Sequence, residues 1–375
     1  MPLDLESYRQ QFPVTCSLIY LDHAAVSPLP AVVRDAMIGQ IEDVHQFGIA
    51  HFDRWLQTAE DTRRAAASML NAAPEEIAFV KNTSEGISSF ALGLEWQPGD
   101  EVVSVEGEFP ANYYPWKLLE KKGVRLRLVA QPDGCIDLSH IERSLTARTK
   151  VVAVSFVQFL SGYRLDLEKL GQLCERRGVL LFVDAIQGLG AFPIDVKKSR
   201  IAGLAADGHK WLMGPEGCGI FFVRGDVAER LTPTTVGWTN FEGWLNFAQG
   251  DPVWRKGAGR FECGALNSAG IHGLEAAFGM ISQIGVATIS ERILHLTHGL
   301  REGLQARGYR LFGPAVQPHR SGIVSFFPRS ASAEELAGFL RNQQVIVSAR
   351  RGLVRISPHF YNTQEEIDRV LELLR

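Results

Sequence analysis

Residues 179–187 read VLLFVDAIQ, and this stretch decides the fold. The run Val179–Val183 is apolar at every position, which is typical of an interior strand in a parallel sheet. It ends in Asp184, with Gln187 three positions later. Functional sites in open α/β sheets gather at the carboxyl ends of strands, so this pair marks a candidate site. Asp184 is equally consistent with an ordinary cap of the helix that follows.

Similar apolar runs recur along the chain and alternate with amphipathic segments. The further predicted strands are Ile77–Val80, Glu101–Val105, Val124–Val129, Val151–Phe156 and Gly219–Val223. Between two of them, Glu168–Arg177 predicts a helix that ends at Gly178. This alternation predicts an α/β fold whose large, mostly parallel sheet lies between helices.

The pattern changes after about residue 257. Long helices are predicted over Ser268–Gln283 and Ile289–Arg307, and a terminal helix over Gln364–Leu374. Short strands are predicted between them at Ile323–Phe327, Val345–Val347 and Leu353–Ile356. We therefore predict a large domain over residues 15–256 and a smaller α/β domain that consists of residues 257–375 together with residues 1–14.

Composition excludes several classes of protein. The 375 residues carry a formal net charge of −3, which argues against nucleic-acid binding. No apolar run approaches the length of a membrane span, and the first nine residues lack the apolar region of a secretory signal. The five cysteines are scattered, which predicts free thiols in a reducing, cytoplasmic compartment and no metal site.

A second candidate group is Lys210, in the stretch Asp207-Gly208-His209-Lys210-Trp211. Most lysines are solvated surface residues. A desolvated lysine with a lowered pKa is instead a carbonyl nucleophile that forms Schiff bases. A pyridoxal phosphate enzyme needs such a lysine together with an acidic partner for the pyridine nitrogen.

A third candidate group is the segment Asn82-Thr83-Ser84-Glu85-Gly86, which precedes the apolar stretch Ile87–Leu94. Hydroxyls and free backbone N–H groups at a helix N-terminus form an anion site. The same residues are also consistent with a simple helix cap.

In their order along the chain, these three groups resemble the fold-type I pyridoxal phosphate enzymes, and more closely the class V aminotransferase and cysteine desulfurase superfamily. The resemblance runs from Tyr20-Leu21-Asp22-His23-Ala24-Ala25 to the stretch VRISPHFYNT at 354–363. The stretches SFVQFLSGYRLDL at 155–167 and DGHKWLMGPEG at 207–217 look most like the isopenicillin N epimerase-like branch. The resemblance implies pyridoxal 5′-phosphate as the cofactor.

The resemblance also implies roles for individual residues. Lys210 matches the lysine that forms the Schiff base and then moves the α-proton, and Asp184 matches the partner of the pyridine nitrogen. Gln187 matches the donor to the phenolic oxygen of the ring. The other implied cofactor contacts are Thr83, Ser84 and His209 at the phosphate or the lysine loop, with Ile186 and Phe109 against the ring.

Arg355 matches the arginine that grips the substrate carboxylate, with Arg350 and Arg351 as alternatives. The other implied substrate-binding residues are His23, Ala24 and Gln158. Phe109 stands where desulfurases have a histidine, and a phenylalanine stacks without carrying a proton.

Three departures from the family pattern are informative. Residues 348–352 contain no cysteine, which argues against a persulfide-forming desulfurase. Gly264-Ala265 stands where relatives have a Gly-Thr pair that reaches the partner subunit's phosphate, so that contact is lost or moved to Thr239, Asn267 or Ser268. Asp207 replaces a phosphate-binding serine, so we expect its carboxylate to point away, toward an arginine or backbone N–H groups.

The resemblance therefore predicts a class V aminotransferase-type enzyme that acts on amino acid and keto acid substrates. A β-lyase without a persulfide cysteine, an amino-acid epimerase and a non-catalytic cofactor-binding module are the alternatives. A nicotinamide oxidoreductase is disfavoured because Gly188-Leu189-Gly190 lacks a third glycine at the right spacing. A homodimer with a shared active site is also implied. The segment 37–64 either contributes to that interface or packs on its own subunit.

Overall fold

The computed structural model describes residues 4–246 and 250–374. The helices are α1 (Leu5–Arg9), α2 (Ala31–Phe47), α3 (Phe52–Leu70), α4 (Thr83–Gly93), α5 (Tyr114–Leu118), α6 (Leu138–Ser144), α7 (Leu167–Arg177), α8 (Gly225–Ala228), α9 (Ser268–Ile284), α10 (Val286–Ala306), α11 (Ala333–Asn342) and α12 (Gln364–Leu373). The strands are β1 (Ile19–Tyr20), β2 (Ile77–Val80), β3 (Glu101–Val105), β4 (Arg125–Val129), β5 (Thr149–Ser155), β6 (Leu180–Asp184), β7 (Gly203–Asp207), β8 (Gly219–Val223), β9 (Leu311–Phe312), β10 (Val324–Phe326), β11 (Val345–Ile346), β12 (Ser348–Arg350) and β13 (Leu353–Ile356).

A seven-stranded sheet forms the centre of the fold, in the order β2-β8-β7-β6-β5-β3-β4. Strand β8 is antiparallel to β2 and β7, and the other neighbours are parallel. Asp184 closes β6 and pairs in register with Ser155 of β5 and Ala205 of β7. The predicted α/β fold with a mostly parallel sheet is confirmed, and Asp184 stands at the carboxyl edge.

Strand β7 was not predicted from the sequence. Its residues, GLAAD, are small and have little intrinsic preference for strands. The structure shows why small residues belong there: a Cβ added to Gly203 would lie 2.5 Å from the Phe90 ring and 2.9 Å from the Phe182 ring. Large aromatic side chains from α4 and β6 thus occupy the space that β7 leaves open.

Helix α4 approaches the central sheet very closely at Gly86. A Cβ added there would lie 2.7 Å from the Cβ of Ala205 in β7. The glycine therefore lets the helix backbone sit against the sheet, which fixes the N-terminus of α4 beside the carboxyl ends of β6 and β7. The helix begins at Thr83, earlier than the predicted apolar stretch at 87.

The C-terminal part forms a four-stranded antiparallel sheet in the order β12-β13-β10-β9. The predicted strand Val345–Val347 corresponds to β11, which pairs in parallel with β1, whereas β12, which was not predicted, pairs with β13. The N-terminal segment that contains β1 therefore lies beside this smaller sheet. The division into domains at residue 257 stays a prediction.

Helices α2 and α3 both pack against α9 of the same chain. They cover most of the segment 37–64, and the chain turns between them at Gly48, which has a φ of 57°. Packing on its own subunit is thus realised for this segment, while several apolar side chains of α2 remain exposed. Among the described residues, no helix has the length and apolar character required to cross a bilayer.

Candidate active site

A cavity of about 380 Å³ opens at the carboxyl edge of the central sheet. Most of the residues singled out from the sequence line it together. They are Ala24, Thr83, Ser84, Phe109, Asp184, Ile186, Gln187, His209, Lys210 and Arg355. These residues come from both halves of the chain, and the fold places them around one space.

Lys210 and Asp184 are two buried ionisable residues that both line this cavity. Their exposed fractions are 8% and 2%. Burial lowers the pKa of the Lys210 amine, against an opposing effect of the Asp184 carboxylate. Burial raises the pKa of Asp184, although the Ile186 N–H donates to its Oδ1 at 3.1 Å. A buried amine with a lowered pKa is a better nucleophile near neutral pH.

The N-terminus of α4 forms one wall of the cavity. Asn82 caps the helix by accepting from the Glu85 N–H at 3.0 Å. Thr83 and Ser84, the first residues of the helix, also line the cavity. Such an end attracts an anion through its unpaired N–H groups and the helix dipole.

Asp207 also lines the cavity, but its carboxylate is engaged by its neighbours. Oδ1 accepts from the Gly208 N–H at 2.7 Å, and Oδ2 lies 3.0 Å from Nδ1 of His209. Its own backbone N–H donates to the Thr83 hydroxyl at 3.0 Å. The expected backbone N–H partner is present, and the described ion pairs of Asp207 include no arginine.

Phe109 lies at the open side of the cavity and is 43% exposed. Its ring centre is 5.5 Å from the Lys210 Nζ, and its edge packs against Phe159. The ring is thus available to cover a flat ligand held above Lys210.

Gln187 connects the cavity to the wall behind it. Its Nε2 donates to the Ala24 carbonyl at 2.9 Å, and its Oε1 accepts from the Trp211 indole at 2.8 Å. These two bonds fix which end of the amide faces the ligand. Ile186, the residue before it, is half-buried in the same cavity wall.

Arg355 reaches the cavity from β13 of the smaller sheet and is 2% exposed. Its Nη1 donates to the Phe159 carbonyl at 3.0 Å, and its Nη2 lies 3.2 Å from Oδ1 of Asp22. Its Nε is buried without a hydrogen-bond partner among the described residues. An unpaired buried donor beside a cavity suits an anionic ligand group.

Two predicted substrate contacts do not line the cavity. His23 is fully buried, with Nδ1 2.8 Å from the Ser357 carbonyl and Nε2 2.7 Å from the Tyr361 hydroxyl. Gln158 lies in a neighbouring cleft, and its Nε2 donates to Glu108 at 2.9 Å. Both side chains are instead hydrogen-bonded to residues distant in sequence, which their local motifs do not reveal.

Two buried carboxylates near the cavity were not proposed as functional from the sequence. Asp22 pairs with Arg355, and Glu108 accepts from the Ser155 N–H at 2.7 Å. Burial raises the pKa of Glu108, whose charge also raises the pKa of Asp184. The sequence signal that could have indicated them is position: Asp22 directly precedes His23 and Glu108 directly precedes Phe109, both of which were candidates.

The candidates for the partner-subunit contact lie elsewhere. Ala265, Thr239 and Ser268 line a separate cavity of about 350 Å³ formed with α3. The Thr239 hydroxyl donates to the Glu262 carbonyl at 2.5 Å, and Asn267 caps α9 by accepting from the Gly270 N–H at 3.0 Å. Within this chain, none of these residues lines the cavity around Lys210.

The chemistry of the residues around the cavity matches the chemical groups of pyridoxal phosphate. A helix N-terminus with adjacent hydroxyls suits the phosphate, and the buried Asp184 suits a protonated ring nitrogen. The buried amine of Lys210 suits a carbonyl, and the Phe109 ring suits a stacked ring. The Nε–H of Arg355, buried without a partner among the described residues, is of the kind an anionic ligand satisfies.

Comparisons with known proteins agree with this geometry. A family profile described as "Aminotransferase class-V" matches residues 19–370. The chain is 31% identical to a probable cysteine desulfurase of Pyrococcus abyssi, over 98% of this chain and 96% of that protein. It is 29% identical to an uncharacterized aminotransferase of Bacillus subtilis, over 98% and 96%.

Solved structures with the same fold include two informative neighbours. The apo structure of a cysteine desulfurase from Thermococcus onnurineus superposes with a TM-score of 0.92 at 29% identity, over 100% of this chain and 98% of that one. The complex of the cystine C-S lyase C-DES with its product cysteine persulfide gives a TM-score of 0.90 at 25% identity, over 97% and 99%.

Proposed function

We propose that this chain, which belongs to the aminotransferase class-V family, is a pyridoxal phosphate-dependent enzyme that transfers the amino group of an amino acid to a keto acid. The superfamily and the cofactor predicted from the sequence are confirmed. The narrower resemblance to the isopenicillin N epimerase-like branch stays a prediction. The observation that carries the proposal is the buried Lys210 beside the buried Asp184 in one cavity.

Bound pyridoxal phosphate supplies a carbonyl that condenses with amines and a ring that delocalises electrons from the substrate's α-carbon. Lys210 would hold that carbonyl until the substrate amine displaces it. The freed Nζ, with its pKa lowered by burial, would then take the α-proton from the carbon on one side of the substrate nitrogen and return it to the carbon on the other side. One base is sufficient for both transfers because transamination moves a single proton between two carbons bonded to the same nitrogen.

Other residues would hold and orient the cofactor. Asp184 would accept from the ring nitrogen and keep it protonated, and Gln187 would donate to the phenolic oxygen. Thr83 and Ser84, with the first N–H groups of α4, would hold the phosphate. His209 lies at the same wall, where its imidazole is held near Asp207.

The presence of a phenylalanine at position 109 favours transamination over loss of a thiol. Expulsion of a thiol from the β-carbon is assisted by a proton donor near the leaving group, and Phe109 has no proton to give. In the described lining of the cavity, the other acid–base groups are those already assigned to the cofactor or the substrate carboxylate, together with Asp207 and Arg350. We therefore rank amino transfer first.

A cysteine or cystine β-lyase is the second candidate, and the comparisons favour it specifically. The neighbour C-DES is named a cystine C-S lyase, and relatives near 30% identity are named cysteine desulfurases. Such a lyase would use Lys210 as the base in the same way. Because residues 348–352 contain no cysteine, this alternative is a lyase that releases its sulfur product rather than one that stores a persulfide there.

We further propose a homodimer that works in the cytoplasm. Ile38, Ile41, Val44 and Phe47 form a stripe along α2 and are each 43–54% exposed. A contiguous apolar stripe of this kind commonly marks a protein interface. All five cysteines are unpaired, as expected of a reducing compartment. Sedimentation of the holoprotein would test the dimer.

The experiment for the catalytic proposal is the Lys210→Ala variant, with Lys169→Ala as control. Lys169 is an exposed lysine in the first turn of α7, paired with Asp166, and it is not part of the cavity lining. We expect Lys210→Ala to lose the absorption of lysine-bound cofactor and multiple turnover, while Lys169→Ala retains both. Native-rate turnover by Lys210→Ala would refute the mechanism.

A further inference from the structure

We propose that Asp22 is a positioning residue, which fixes the Arg355 guanidinium so that its unengaged N–H groups are held for the substrate carboxylate. The inference rests on the proposed function, because it concerns how the amino acid is held. Asp22 is 9% exposed and is not among the residues that line the cavity. It therefore acts on the substrate only through Arg355.

The hydrogen bonds of Arg355 leave one nitrogen without a partner. Nη1 donates to the Phe159 carbonyl at 3.0 Å. Nη2 donates to Asp22 at 3.2 Å and lies 3.4 Å from the Ser348 hydroxyl. Nε has no partner among the described residues, although it is buried. Because Arg355 lines the cavity, its unengaged N–H groups, on Nε and on Nη1, are the donors left for a ligand.

Asp22 is itself held rigidly. Its second carboxylate oxygen accepts from the Ser348 hydroxyl, and its backbone forms a bridge with Ser357, two residues beyond Arg355. Ser348 stands opposite Arg355 in the β12–β13 pairing. The carboxylate, the hydroxyl and the guanidinium thus form one closed group on three neighbouring segments.

Electrostatics supports the same role. Burial lowers the pKa of Arg355, and the Asp22 carboxylate acts in the opposite direction by stabilising the buried cation. A flexible arginine would lose rotational freedom on binding a carboxylate, whereas a fixed one has lost it already. Removing the Asp22 charge should therefore weaken carboxylate binding more than amine binding.

The test compares glycine with glycinamide, which carries the same amine but no carboxylate. Apparent dissociation constants are read from the absorption change of the pyridoxal phosphate-loaded protein, for wild type, Asp22→Asn and Arg355→Lys. We expect Asp22→Asn to weaken glycine roughly tenfold and glycinamide less than about twofold. Arg355→Lys should show the same selectivity.

The matched control is Glu366→Gln, which removes a buried carboxylate paired with Arg9 outside the cavity lining. It should change neither dissociation constant, although it should lower the melting temperature. Ser348→Ala provides a second variant that keeps Asp22 and removes its hydroxyl partner. It should also weaken glycine binding more than glycinamide binding, but by less than Asp22→Asn does.

The outcomes separate the inference from the proposed function. Equal weakening of glycine and glycinamide in Asp22→Asn, or no change in either, overturns the positioning role. If neither glycine nor glycinamide alters the absorption of loaded wild type, the proposed function itself fails. Thermal unfolding of the apo variants reports folding independently of either result.

Discussion

The close approach of α4 to the sheet makes Gly86→Ala a quantitative probe of the phosphate end of the cavity. The new Cβ would lie 2.7 Å from the Ala205 Cβ, about 0.7 Å short of the 3.4 Å at which ordinary contacts begin. Ala205 is fully buried in a strand flanked by β6 and β8, so it cannot give way. The helix must move instead.

The free-energy cost of this clash can be measured separately by using Gly338→Ala as the control. Gly338 is an exposed residue inside α11, and a Cβ there meets nothing within 4 Å. Both substitutions share the gain of about 1 kcal/mol from replacing a helical glycine, so their difference measures the clash. We expect Gly86→Ala to be less stable than Gly338→Ala by about 1–3 kcal/mol.

Displacing α4 should also weaken pyridoxal phosphate. Loss of one charge-assisted hydrogen bond to the phosphate corresponds to about 1.5–3 kcal/mol, or roughly tenfold to hundredfold in the dissociation constant. Denaturant unfolding of the apo proteins and absorbance titration with cofactor measure the two effects. If Gly86→Ala matches Gly338→Ala in stability and wild type in cofactor affinity, the reasoning is refuted.

Three further predictions follow from the cavity. Asp184→Asn should lower kcat/KM roughly tenfold to hundredfold through loss of the charged partner of the ring nitrogen. The apo variant should unfold at no lower denaturant concentration, since burial disfavours the native charge, and a large loss of apo stability would contradict this. Phe109→His should raise the ratio of pyruvate, formed from cysteine with loss of sulfide, to 3-mercaptopyruvate, formed by amino transfer, and an unchanged ratio would remove the ranking of the two reactions. Because burial lowers the pKa of Lys210, the rate at which pyridoxal phosphate is incorporated should rise with pH and reach half its plateau below the ordinary lysine pKa of about 10.4, whereas a midpoint at that value would contradict the burial effect.

The central sheet could be predicted where strands are apolar on both faces, as at Val151–Phe156 and Val179–Val183. Burial on both faces leaves a pattern that local sequence shows directly. Strand β7 escaped prediction because its core space is filled by Phe90 and Phe182 from other elements. Small residues suit this strand only because those two rings fill the space beside it.

The members of the candidate site could be predicted where the type of a residue and its surrounding motif together indicate one chemical role. Lys210, Asp184 and Arg355 were proposed from their types and motifs, and the fold brings them to one cavity. The direction of His23 and Gln158 depends on Tyr361 and Glu108, which are distant in sequence. Long-range hydrogen bonds of this kind leave no local signal, and the role inferred for Asp22 depends on them in the same way.

The most direct test of the central claim is an absorbance titration of the pyridoxal phosphate-loaded protein with a panel of amino acids, with keto acid assayed in parallel. We predict that one amino acid converts the absorption of lysine-bound cofactor to that of pyridoxamine phosphate with one keto acid formed per site, and that added keto acid restores it. Persistence of the original absorption while pyruvate accumulates from cysteine would assign the β-lyase instead. Absence of any absorption from lysine-bound cofactor would contradict the account as a whole.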